Sequence, residues 1–72
     1  MMNINEIKEN KLRGIRARFG FTQEDIANQL GITREIYNKK ENGKLDFTKK
    51  ELKKLVVLFK DLDDKISIED LF

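Results

Sequence analysis

The sequence predicts an all-α domain of five helices, and three observations carry that prediction. Apolar residues recur at helical spacing. Thr or Ser stands three residues ahead of a carboxylate at positions 22 and 25, 48 and 51, and 67 and 70, which is the spacing of a capping box. Glycines at 20, 31 and 43 fall where the first three helical stretches stop.

Residues 1–9, MMNINEIKE, have only Ile4 and Ile7 as apolar anchors after the two methionines. They read either as a flexible arm or as a backward extension of the first helix. That helix is expected over about Asn10 to Phe19, with Leu12, Ile15 and Phe19 inward and Lys11, Arg13 and Arg18 outward, and Gly20 closes it. Gly14 inside it costs about 1 kcal/mol relative to Ala and marks either close packing or tolerated weakness. Arg16 follows inward-facing Ile15 and is therefore placed for partial burial.

Thr22 caps the second helix, with Asp25 at the third helical position, and Ile26, Ala27 and Leu30 form one apolar stripe. Gly31 suits the left-handed backbone that stops a helix within one residue. Gln23 is the first residue after the cap, where free backbone N–H groups and the positive end of the dipole favour a phosphate. Asn28 and Gln29 point away from the stripe.

Thr33 caps the third helix, which runs toward Gly43. Arg34, Glu35, Asn38 and Lys39 spread over its outward side while Tyr37 faces back. Arg and Lys match guanine O6 and N7, Asn matches adenine N6 and N7, and Glu matches cytosine N4. A merely solvated face is also polar, so composition alone leaves both readings open.

Leu45 and Phe47 are expected to anchor the next loop. Thr48 and Glu51 then open an apolar helix in which Leu52, Leu55, Val56 and Phe59 have core spacing. Val57 and Leu58 carry the stripe further round, a surplus of the kind that marks a partner surface. Lys49, Lys50, Lys53 and Lys54 line its other side. Beyond KDLDDK, Ser67 and Asp70 begin a final turn, with Ile66, Ile68, Leu71 and Phe72 supplying apolar contacts.

Seventy-two residues make one domain. A domain of that size buries only about 60% of the surface its unfolded chain exposes, so modest stability is expected. With no Cys and no His, neither a disulfide framework nor the usual metal ligands are available, and no metal or cofactor is expected. No run approaches the roughly 18 apolar residues of a membrane span, and no signal-peptide core is seen at the N-terminus, so a soluble protein is expected. Residues 61–72 carry five acids against Lys65, which leaves fourteen bases and eight acids in residues 1–60. That asymmetry fits a domain meeting phosphate with one side and keeping its acidic end away. Ser67 is the only Ser and Tyr37 the only Tyr, and no nucleophile–base pairing or phosphate-cradling glycine loop appears, so an enzyme is not expected.

The stretch TQEDIANQLGITREIYNKKENGK resembles the helix-turn-helix of the phage repressor and Cro family, the Xre type. The resemblance rests on Thr-Gln opening the second helix, Ala inside it, Leu-Gly-Ile-Thr at the turn, and Glu-Asn-Gly closing the third. LRGIRARFGF upstream fits the family's first helix. FTKKELKKLVVLF and ISIEDLF fit its fourth and fifth, so the likeness spans about residues 10 to 72. It implies the compact five-helix fold of the lambda repressor, with double-stranded DNA as partner. Thr33, Arg34, Glu35 and Lys39 fall where resembling proteins contact base edges, with Asn38 flanking them. Gln23, Asn42 and Lys44 match phosphate contacts, and Arg16 and Glu41 match a structural ion pair. Tyr37 takes the buried position usually filled by Val or Ile. Two positions depart from the pattern: Ile36 stands where a small polar residue is usual, and Lys40 takes a commonly apolar place. The Ile36 methyls could touch a thymine methyl or pack on Ile32. The Lys40 stem is expected along the core edge with its ammonium reaching outward.

The resemblance implies a transcription regulator, expected to be a repressor in a prokaryotic or phage-infected cytoplasm, reading a palindromic operator as a homodimer. Val57, Leu58, Leu71 and Phe72 are the candidate dimer surface, the alternative being that they complete the monomer core. Two rivals stand beside this reading: an antitoxin that represses its own operon while holding a protein partner, and a protein-interaction module that has lost DNA binding.

Overall fold

Local capping sets the helix starts. The Thr22 hydroxyl accepts the Asp25 N–H at 3.0 Å while the Asp25 carboxylate accepts the Thr22 N–H at 2.8 Å. Thr48 and Glu51 repeat the reciprocal arrangement at 3.1 and 2.9 Å. In a computed structural model, which describes residues 11–72, the helices are α1 (Lys11–Arg18), α2 (Gln23–Leu30), α3 (Arg34–Glu41), α4 (Lys49–Leu62) and α5 (Ile68–Leu71). No strand occurs among the described residues. Asn10 and the arm or helix extension considered for residues 1–9 lie outside them. Ser67 caps α5 less completely than expected: Asp70 accepts from the Ser67 N–H at 2.9 Å and from its hydroxyl at 3.3 Å.

The core is assembled from all five helices. Leu12, Ile26, Ala27, Leu30, Tyr37, Leu55, Phe59, Ile66 and Leu71 are buried, and Ile15, Phe19, Phe21, Ile32, Phe47, Val56 and Leu58 pack against them. Phe59 is its aromatic centre, with the Phe19 and Phe21 ring centroids 6.0 and 6.2 Å from its own.

Several apolar assignments change. Leu58 packs on the core, whereas Leu52 is only partly buried and lies outside the core cluster. Leu45 and Ile68 are exposed, so neither anchors its segment. Leu71, offered as a dimer contact, is 1% exposed because the single turn of α5 packs against α1 and points it inward. The other three candidates border two separate depressions. Val57 and Leu58 border a depression with Gln29, Lys53, Lys54 and Asp61, while Phe72 borders another with Leu45, Phe47, Leu52 and Ile68. None of the described helices is long and apolar enough to cross a membrane.

Candidate nucleic-acid interface

The turn between α2 and α3 comes from Gly31, whose φ of 72° and ψ of 31° are left-handed. The Gly31 and Ile32 N–H groups then reach back to the carbonyls of Asn28 and Ala27 at 3.3 and 3.0 Å, closing α2. Thr33 caps α3 by accepting the Ile36 N–H at 3.2 Å, which leaves its hydroxyl proton free to donate. α2 and α3 pack against one another with buried Ala27 among the core residues, a small side chain where two helices approach.

Arg34, Glu35 and Lys39 project from the exposed side of α3. With Gln23 from α2, Asn38 from α3 and Lys44 from the following loop they line one shallow groove. Six of the eight expected contact residues therefore converge on one surface. Thr33 is exposed at the N-terminal edge of α3, and partly buried Asn42 sits at its C-cap, where its Nδ2 donates to Asn38 Oδ1 at 3.3 Å. Ile36 is partly buried but not packed on the core cluster.

Beneath the groove the Glu41 side chain is fully shielded from solvent and accepts four hydrogen bonds. Arg16 grips it with two, Nε to Oε2 at 2.9 Å and Nη2 to Oε1 at 3.2 Å, and Arg16 Nη1 also donates to the Phe21 carbonyl at 2.8 Å. The Tyr37 hydroxyl donates to Oε2 at 2.6 Å and Gln23 Nε2 to Oε1 at 3.2 Å. Burial alone would push the Glu41 carboxyl up, but bonds from Arg16, Tyr37 and Gln23 outweigh it and hold the carboxyl below the usual range. The same bond raises Arg16 against the opposing effect of burial. Burial first, and then the bond to Glu41, keeps the Tyr37 phenol protonated far above its ordinary value.

Three features were missed from sequence. Gln23 is not a free helix-start side chain: besides donating to Glu41, its Oε1 accepts from Asn38 Nδ2 at 3.2 Å. Arg13 leans toward the same network, with Nη2 3.4 Å from Asn42 Oδ1 and Nε 3.8 Å from Glu41 Oε1. Its spacing of three from Arg16 was the available signal, since such residues share a helix face. The Lys40 ammonium, expected outward, instead turns to Glu51 Oε1 and is nearly buried there. Glu51 caps α4 and keeps a lone pair available, which makes it a ready partner for a cation at the end of α3.

These carboxylates give a pH signature. Burial pushes Glu51 up, while its bonds from Lys40 and the Thr48 N–H bring it below its ordinary 4.5. The Thr22 cap bonds lower Asp25 below 3.8. Folded values below unfolded ones add stability that is fully present at higher pH and is lost as pH falls through the folded values. The calorimetric midpoint is therefore expected to hold from neutrality down to about pH 5 and then to decline progressively below about pH 4.5. A midpoint that rose on acidification would contradict the network.

A capped helix, a left-handed glycine turn and a second capped helix presenting its polar side define a helix-turn-helix. The chain belongs to the helix-turn-helix domain family, whose sequence pattern matches residues 3–67. A relative from Methanocaldococcus jannaschii, named an uncharacterized HTH-type transcriptional regulator, is 38% identical over 64 residues, 89% of each chain. No solved structure matches at a significant level.

Proposed function

We propose that this chain is a sequence-specific regulator of transcription of the phage repressor and Cro type, which inserts α3 into the major groove of an operator and acts as a repressor. The observation that carries this reading is the single groove lined by Gln23, Arg34, Glu35, Asn38, Lys39 and Lys44. It brings two helices and a loop to one surface, joining the hydrogen-bonding side chains of Gln23, Glu35 and Asn38 to the cations of Arg34, Lys39 and Lys44. The relative's name, a transcriptional regulator, supports the same reading. Thr33, Arg34, Glu35, Asn38 and Lys39 take base edges, while Gln23, Asn42 and Lys44 fix register on phosphates. A homodimer would read a palindrome whose half-sites lie about 34 to 36 Å apart on one face of the DNA.

Selection of duplexes from a random pool at two salt concentrations tests the reading. A palindromic motif supports it. Binding without a motif leaves only phosphate attraction, and no binding at low salt removes it. With a selected duplex in hand, Arg34→Ala is expected to cost about 1–3 kcal/mol and to relax preference at particular bases. Lys44→Ala should instead weaken all sequences alike and lower the log-log salt slope by about 1. Equal losses on selected and scrambled DNA for Arg34→Ala would remove its assigned role.

A further inference from the structure

A chain of hydrogen bonds crosses the proposed DNA face, and its two ends fix its direction. The Glu41 carboxylate only accepts, so the Gln23 atom 3.2 Å from it is the amide nitrogen. Gln23 Oε1 then faces Asn38 Nδ2 at 3.2 Å, and Asn38 Oδ1 faces Asn42 Nδ2 at 3.3 Å. At the far end the Arg13 guanidinium only donates, and its Nη2 lies 3.4 Å from Asn42 Oδ1. Between an obligate acceptor and an obligate donor, no amide can flip without setting two donors or two acceptors face to face. Each amide keeps one N–H and one lone pair outside the chain. Asn38, the middle amide, is partly buried on α3 and lines the groove. One N–H beside one lone pair complements adenine, whose N7 accepts and whose N6 donates. Guanine carries an acceptor, O6, in place of that donor and sets it against the Asn38 oxygen. An amide released from the chain could tilt to donate a single bond to N7 or O6 and turn its oxygen away, so guanine would be penalised less.

We propose that Asn38 discriminates adenine from guanine in the major groove, and that Arg13 is a positioning residue that holds the Asn38 amide in its reading orientation through Asn42. The proposal rests on the DNA-binding reading above. The test measures affinity for every single-base change in a selected duplex, using the wild type, Asn38→Ala, Arg13→Ala and Arg13→Lys. The wild type should favour adenine over guanine about tenfold at one position. Asn38→Ala should abolish that preference alone, Arg13→Ala should reduce it at the same position, and Arg13→Lys, still an obligate donor, should restore most of it. If Asn38→Ala alters no base preference, the reading role is overturned. An unchanged adenine preference in Arg13→Ala overturns the positioning role. Failure of the wild type to select any duplex overturns the DNA-binding reading itself. A measurement without DNA separates the two: in free protein the Asn38 side-chain amide should exchange more slowly than that of exposed Asn28, and Arg13→Ala should speed it. Equal exchange in the wild type would mean the amide is not held.

Discussion

Alanine at position 41 is expected to remove about 3–5 kcal/mol of stability, the cost of leaving one member of a buried ion pair alone. Glu41 is 3% exposed and is the common acceptor for Arg16, Tyr37 and Gln23. Deleting it strands a guanidinium from α1 and a buried phenol from α3 together. That loss rivals the roughly 3–5 kcal/mol a core this small supplies. Glu41→Gln is therefore the working variant, since it keeps the side-chain shape and removes the charge. In chemical denaturation, adding Arg16→Ala to Glu41→Gln should cost little more than Glu41→Gln alone, because the partner is already uncompensated. Strictly additive losses across that cycle would mean that the two side chains do not act as a pair.

Phe59→Ala is the other large effect expected, about 3–5 kcal/mol, from lost transfer energy and the cavity left behind. Phe59 is fully buried, and it is where Phe19 at the end of α1 and Phe21 in the following loop meet α4. Aromatic pairs of this kind add about 0.5–1.5 kcal/mol each beyond burial. Phe59→Leu keeps much of the apolar surface and should cost markedly less. A loss below about 1 kcal/mol for Phe59→Ala would show that the neighbouring rings close the space freely.

What could be read before the structure was mostly what is local. The caps at Thr22, Thr33 and Thr48 depend on neighbours three residues away, and the turn at Gly31 depends on one backbone angle, so short spacing encodes them. The inward positions Leu12, Ile26, Leu30, Leu55 and Phe59 follow from helical period. Resemblance, not period, supplied Arg16 with Glu41. What stayed hidden needed tertiary placement: Lys40 meets Glu51 across the loop joining α3 to α4, and Gln23 meets Asn38 across the helix-turn-helix. Leu71 and Phe72 show the limit of period in a single turn. Adjacent apolar residues there differ by one step, and docking against α1 decides which is buried.

The Glu51 carboxylate ties two helix ends into one cooperative unit. One of its oxygens both closes the first turn of α4, through the Thr48 N–H, and holds the Lys40 ammonium near the end of α3. Fraying of α4 at its start and loosening of α3 at its finish then share a single opening event, not two independent ones. A protein this small has few places to absorb motion. Coupling the ends in this way ties the finish of α3 to the start of α4 through one shared acceptor, so that loosening either end costs both bonds.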